Sequence, residues 1–191
     1  MYLFGDTETT AFSLSGALKQ AGQARVCQIA LLLTDENGKS IAEFSSLVKP
    51  EGWNVGDSAE AVHGYSTLMC EKYGLSHYLV MHTWQEMASK AKFQVYHNAS
   101  FDTKMLQIEQ AYFYDQQFKF AEPEVYCTML KSTDICKVPH PTRRGNKWPK
   151  LDEALKILCN KSLGDQAHDA LWDARACKDI FFAMKKMGLA A

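Results

Sequence analysis

Residues 25–48 hold two apolar runs, RVCQIALLLT and IAEFSSLV, joined by DENGKS. The joint carries Asn37-Gly38, the dipeptide that favours a two-residue hairpin because both positions tolerate positive φ. The runs Arg25–Thr34 and Ile41–Val48 are therefore expected to pair as antiparallel strands. Upstream, residues 2–8 (YLFGDTE) alternate, with Tyr2, Phe4, Asp6 and Glu8 on one face, the periodicity of a strand. A chain that opens this way begins with an antiparallel meander.

The remainder changes character. Thr83-Trp84-Gln85-Glu86 fits a capping box, and Trp84, Met87, Ala88 and Ala91 follow at helical spacing. FQVYHN (93–98) reads as a strand. Ser100 is the expected cap of a helix whose apolar stripe is Phe101, Met105, Ile108 and Tyr112. Val125–Cys127 is a short strand. Pro149 suits the first turn of a helix that buries Leu151, Ala154, Leu155 and Leu158. A last helix is expected from about Ala167 to Lys186, burying Leu171, Ala174, Ile180, Phe181 and Met184. Three meandering strands followed by strand–helix alternation give an α/β three-layer sandwich, a mixed five-stranded sheet flanked by helices.

At 191 residues, one domain spanning 1–191 is expected, large enough to bury a core without staples. The six cysteines form no C-x-x-C pair and read as reduced, mostly buried thiols. Cys136 and His140 lack the second half of a zinc site. There is no basic n-region followed by an apolar stretch and no run of about 20 apolar residues, so a cytoplasmic protein with no membrane partner is expected. The net charge is −1, which argues against a protein that coats long nucleic acid. It leaves room for an enzyme that grips a few nucleotides in an acidic cleft.

Asp6 and Glu8 are the feature that strand periodicity does not explain. Side chains i and i+2 share a face about 6–7 Å apart, and two carboxylates there repel and are costly to bury unpaired. A divalent cation with hard oxygen ligands resolves the conflict, and Gly5 leaves room for close backbone approach. The plain alternative is a strand end meeting solvent. Two further stretches carry acids. In VYHNASFD (95–102), Asp102 falls in the first turn of a helix, where the helix dipole favours a carboxylate in any case. In AHDALWDARA (167–176), His168 and Asp173 are five residues apart, about 140° around a helix. Both serve one site only if His168 leans across from the helix entrance; otherwise they are a capping histidine and a solvated acid.

Taken together, D-x-E on a strand, H-N-x-x-F-D at a strand–helix junction and H-x-x-x-x-D on the last helix resemble the DEDDh family of 3′–5′ exonucleases. RVCQIALL, SAEAVHGYS (58–66) and KWPKLDEAL resemble further family segments, and the resemblance runs from residue 2 to about 184. The related tyrosine subgroup has Y-x-x-x-D, but Asp169 stands four before Asp173 here, so the histidine version fits. Ala11 departs from the glycine of many members.

The resemblance implies an RNase H-like fold and a site of Asp6, Glu8, Asp102, His168 and Asp173 holding two divalent ions, Mg²⁺ or Mn²⁺. Asp6 would bridge the ions, with Glu8 and Asp173 completing one shell. Asp102 would hold the second through water, and His168 would be the general base. A histidine's ordinary pKa of about 6.5 suits proton removal at neutral pH. The implied reaction releases nucleoside 5′-monophosphates from the 3′ end of single-stranded DNA or RNA, DNA favoured. A DNA polymerase is the protein partner that a proofreading role would add; repair and oligonucleotide recycling are equally consistent.

Phe12 is placed to stack on a terminal base, as its family counterpart does. Thr9 and His63 are candidates for the sugar and base pocket, and Phe101 is a candidate whose helical spacing also suits the core. KVPHPTRRGNKWPK (137–150) carries Lys137, Arg143, Arg144, Lys147 and Lys150 and no acid. It reads as a loop, either solvated or gripping phosphate, with Arg143, Arg144 and Lys147 as its contacts. Trp148 either stacks on a base or anchors the loop in the core. Two rivals stand beside the enzyme: a catalytically silent fold member that binds nucleic-acid ends or a replication partner, and a metal-dependent phosphatase. Asp6-Thr7-Glu8 does not supply the D-x-D-x-T order of the aspartyl-phosphate phosphatases.

Overall fold

The computed structural model describes residues 1–11, 17–113 and 123–190. Five strands form one sheet in the order β3-β2-β1-β4-β5, with β1 Tyr2–Thr9, β2 Val26–Thr34, β3 Ser40–Leu47, β4 Phe93–Tyr96 and β5 Glu124–Cys127. β1 pairs antiparallel with β2, and β2 with β3. β4 runs parallel to β1, and β5 to β4. The turn between β2 and β3 is one residue longer than the two-residue hairpin expected: Asp35 N donates to Lys39 O, only Gly38 takes a positive φ (+89°), and the Asp35 carboxylate accepts from the amides of Asn37 and Lys39. The helices are α1 Asp57–His63, α2 Thr67–Tyr73, α3 His77–Ala88, α4 Ala99–Tyr112, α5 Thr128–Cys136, α6 Leu151–Cys159 and α7 Ala170–Lys186.

The sheet is covered on both faces. Leu3, Ile29, Leu31 and Leu33 pack with Val80, Met81, Trp84, Met105 and Ile108 of α3 and α4. Tyr2, Phe4 and Leu32 pack with Leu155, Ile180, Phe181 and Met184 of α6 and α7. This explains why β2 is buried along its whole length rather than alternating. The period-two rule then sorts the far end of β1. Asp6 and Glu8 continue the face of Tyr2 and Phe4, toward α7, while Thr7 continues the face of Leu3, toward α4. A register shift between Glu8 and Thr9 interrupts the ladder before it resumes at Thr9–Val26; bulges often sit beside functional sites.

Several local expectations are corrected. Thr83 does not cap a helix: α3 starts six residues earlier, where Ser76 Oγ accepts from Leu79 N. Thr83 Oγ1 instead donates back to Leu79 O at 2.9 Å, the mid-helix habit of threonine. Ser100 lies inside α4, whose N-cap is Asn98 in the left-handed region at φ +70°. Pro149 lies just before α6, with Lys150 as N-cap, and Glu153 accepts from the Lys150 amide at 2.7 Å. α7 begins at Ala170, later than expected, because Asp169 caps the amides of Leu171 and Trp172. Gly5 makes room for protein: a Cβ there would stand 2.5 Å from Tyr96 Cε1. α1, α2 and α5, seven to nine residues long, are short helices that depend on tertiary packing.

Candidate active site

β1 and β4 run parallel at the centre of the sheet, and their carboxyl ends open onto one cleft, where open α/β sheets bind ligands. The cleft, about 310 Å³, is lined by Asp6, Thr7 and Glu8 from β1, His97 and Asn98 just past β4, Phe101 and Asp102 from α4, Leu151 from α6, and His168 and Asp173. All five residues expected to carry the chemistry therefore face one space. Glu8, His168 and Asp173 come closest, with one ligand atom of each within 4.8 Å of the others.

Each acid is placed by a different device. Asp6 and Glu8 follow from strand alternation. Asp102 sits in the first turn of α4 and accepts a 2.9 Å hydrogen bond from Thr7 Oγ1, which ties α4 to β1. Asp173 sits in the first turn of α7. His168 precedes the α7 N-cap at φ +67°, an uncommon conformation for a non-glycine residue. That left-handed step lets it reach the side of Asp173 despite their helical offset.

The charge balance of the cleft is one-sided. Burial, followed by repulsion from Asp102, Asp173 and Glu8, raises the Asp6 carboxyl well above its ordinary range. Glu8 is pushed to about 8 by burial and then by Asp173 and Asp102. Asp102 rises to about 7 through burial, with the Thr7 hydroxyl pulling the other way. Asp173 also rises to about 7 through burial, opposed by the His168 backbone amide. Among the described residues no lysine or arginine pairs with any of the four, and Asp173 Oδ1 is buried with no hydrogen-bond partner. A donor set of hard carboxylate oxygens with an orphaned buried oxygen fits divalent cations.

The other histidines near the cleft are struts. His97 places Nε2 3.0 Å from Pro149 O and Nδ1 2.9 Å from Thr128 Oγ1. Burial lowers its pKa, and the carbonyl partner assigns the neutral Nε2–H tautomer. His63 accepts from the Tyr65 amide at Nδ1, and its Nε2 faces Thr9 O at 3.2 Å. Of the three, only His168 is exposed toward solvent.

The remaining candidates are distributed as follows. Phe101 lines the cleft and also packs on the core. Thr9 is buried, its hydroxyl donating to Ala11 O, and His63 lies buried behind it. Neither lines the cleft. Lys147 is engaged inside the protein, with Nζ 2.6 and 2.8 Å from the Glu153 carboxylate. Arg143 and Arg144 are exposed on the loop. Phe12 lies outside the described residues. Trp148 does not anchor the loop in the core: it is 65% exposed, and Val138 and Leu151 are the residues of this stretch that pack on the core instead.

The sequence reading passed over one network. Asp169 Oδ2 accepts from Tyr65 OH at 2.7 Å and Gln28 Nε2 at 3.2 Å, while Gln28 Oε1 accepts from the Ala170 amide at 2.9 Å. These bonds lower the Asp169 pKa against the effect of burial and fix the entrance of α7, and with it His168 and Asp173. Gln28 was the available signal, a lone amide in an otherwise apolar strand.

Compared with known proteins, residues 3–181 match the RNase_T exonuclease family model. Comparison with curated proteins by sequence gives no match. Among solved structures, the fold is similar to E. coli exonuclease I in complex with a dA16 oligonucleotide (TM-score 0.71, 18% identity). It is similar also to the zinc-bound E. coli exonuclease I–ssDNA complex (0.70, 18%) and to a moderately thermophilic exonuclease I from Methylocaldum szegediense (0.69, 19%). Each alignment covers 97% of this chain and 40% of the other, so the chain spans well under half the length of those enzymes.

Proposed function

The chain belongs to the RNase_T exonuclease family, and from that membership we propose that it is a 3′–5′ exonuclease of the DEDDh type. It hydrolyses the terminal phosphodiester of single-stranded nucleic acid, DNA in preference to RNA, and releases nucleoside 5′-monophosphates. One observation carries this reading: four carboxylates from β1, α4 and α7 share a cleft whose charge no cation among the described residues offsets, with an exposed histidine at its edge. The oligonucleotide-bound exonuclease I structures of similar fold support the choice of single-stranded DNA.

Asp6, Glu8, Asp102 and Asp173 would hold two divalent ions, Mg²⁺ or Mn²⁺. Such ions, when bound, supply positive charge against the phosphate, the attacking oxygen and the leaving oxygen. The chain's own residues do the rest. His168 takes the proton from the attacking water. It is exposed, where water has access, and adjacent to Glu8 and Asp173. Asp169, Tyr65 and Gln28 hold the α7 entrance so that His168 keeps its orientation. Thr7 and His97 fix the opposite wall. Phe101, at the cleft wall, offers a face to the terminal base.

The test is incubation with 3′- and 5′-labelled single-stranded DNA, duplex DNA and RNA of one sequence, with Mg²⁺ or EDTA. A ladder shortening from the 3′ end, fastest on single-stranded DNA and absent in EDTA, is expected. Shortening from the 5′ end, or activity persisting in chelator, would overturn the reading. Strand binding without any cleavage would point instead to a silent member of the fold.

A further inference from the structure

Two of the four tryptophans are exposed, Trp148 at 65% and Trp172 at 39%. They differ in what meets the ring. Arg175 lies over Trp172, 5.0 Å from its centroid, and is tied in turn to Glu43 at 2.6 Å. Among the described residues no aromatic or cationic side chain lies against Trp148.

Its mounting is rigid. Residues 138–147 form a small hairpin closed by a Pro139–Asn146 bridge and by hydrogen bonds from His140 N to Gly145 O and from Lys147 N to Val138 O. The Lys147–Glu153 ion pair clamps the hairpin to α6. On the other side of Trp148, the carbonyl of Pro149 meets Nε2 of His97, a cleft residue, at 3.0 Å. Two residues further on, Leu151 lines the cleft itself. A residue before proline is also restricted to extended backbone. Trp148 thus lies one residue from a contact with the cleft residue His97 and three from Leu151 of the cleft lining, on a segment pinned at both ends.

The same segment is strongly basic. Residues 137–150 hold five of the chain's 21 cationic side chains and none of its 22 acids. With Lys147 engaged by Glu153, the exposed cations left are Lys137, Arg143, Arg144 and Lys150. A fixed, unpartnered indole among exposed cations, next to a cleft lined with acids, matches one chemistry: alternating bases and phosphates of a single strand.

We propose that Trp148, with Arg143 and Arg144, forms a second contact for the substrate strand, stacking on a base upstream of the terminal nucleotide while the arginines meet its phosphates. This rests on the exonuclease reading and adds to it a length preference: strands long enough to reach the loop are held better than dinucleotides. Lys147 is excluded from this contact and serves as the hairpin clamp.

The test compares a thymidine dinucleotide with a twelve-nucleotide thymidine strand, in the wild type, Trp148→Ala, Trp148→Phe and Arg143→Gln/Arg144→Gln. In parallel, binding of the fluorescein-labelled twelve-mer is followed by anisotropy without added divalent ion. Trp148→Ala is expected to lower the ratio of kcat/KM for the long over the short substrate by about ten-fold and to weaken binding by a similar factor. Trp148→Phe should recover most of both. The double arginine variant should flatten the salt dependence of binding by about 0.7 per lost phosphate contact. An unchanged length ratio and unchanged binding in Trp148→Ala would overturn the proposal, as would an equal loss on both substrates. If the wild type binds the twelve-mer without cleaving it, the exonuclease reading fails while the strand contact is still decided by anisotropy. If it cleaves and Trp148→Ala matches it throughout, only the strand contact fails.

Discussion

Two buried clusters of charge lie a few residues apart along this chain and meet opposite fates. Glu109 on α4 is only 2% exposed, yet its carboxylate accepts from Arg25 Nε and Nη2, from the Val26 amide, and faces His77 Nε2 at 3.0 Å. Arg25 is further covered by the Tyr112 ring at 4.0 Å. The facing His77 ring and the Arg25 hydrogen bonds outweigh burial, and the Glu109 pKa falls. One helical stretch away, Asp102 and its three partners are raised instead, because burial and mutual repulsion meet no cation among the described residues. The same fold that pairs one buried carboxylate with an arginine leaves four without a cation among the described residues. The first cluster holds α4 to β2; the second is the one the proposed reading assigns to metal ions.

The contrast breaks most visibly at Asp173. Asp173→Asn is expected to cut hydrolysis at least as much as losing a single oxyanion donor, about 10²–10³-fold. In metal-free protein near pH 8 the same change should raise the melting temperature, since it removes a charge the fold disfavours. Turnover and a thermal melt of one sample check both. Glu109→Gln should do the reverse: a loss of about 3–5 kcal/mol in urea unfolding, from an arginine left without its partner, with turnover per folded molecule near that of wild type.

His168→Ala is expected to slow turnover by about 10²-fold while Mn²⁺ affinity stays close to wild type. A fall of ten-fold or more in Mn²⁺ affinity would reassign this histidine from base to ligand.

The pH dependence of stability separates the clusters by sign. The cleft acids have folded pKa values raised to about 7–8 at Glu8, Asp102 and Asp173. Their contribution is therefore full below the ordinary carboxylate range and is lost as pH rises through 7–8. Glu109, depressed, contributes above the ordinary glutamate range and loses that contribution as pH falls through its folded value. Metal-free protein should thus lose stability between about pH 4 and 8, by up to about 1.4 kcal/mol per pH unit for each proton released, and Mg²⁺ should flatten that slope. Urea unfolding across the range, with and without Mg²⁺, checks it. The smallest effect is expected from Tyr65→Phe, which removes one hydrogen bond to Asp169. It should cost about 1 kcal/mol of stability and a few-fold in turnover.

The legible part of this molecule was what periodicity and turn chemistry control. The meander, the location though not the length of its turn at Asn37-Gly38, the strand–helix alternation and the face shared by Asp6 and Glu8 follow from local rules. The convergence of Asp102, His168 and Asp173 on that face was readable only through the pattern of three motifs together, since each acid alone had an ordinary explanation. What stayed hidden was tertiary. Nothing local distinguishes Thr83 as a back-bonding helix residue from Thr83 as a cap. Only the neighbour across the sheet shows that Gly5 yields to Tyr96. The Gln28–Tyr65–Asp169 network joins three segments separated by up to 141 positions. That Val138 and Leu151, rather than Trp148, pack on the core is likewise decided by tertiary packing.

The central claim is that the four cleft carboxylates are completed by divalent cations. Calorimetric titration of Mn²⁺ into metal-free protein at pH 6.0 and 7.5, in two buffers of different ionisation enthalpy, tests it most directly. The account predicts binding that releases protons, tightens at the higher pH and is lost in Asp173→Asn. Absence of binding at either pH, or an isotherm unchanged by Asp173→Asn, would contradict it.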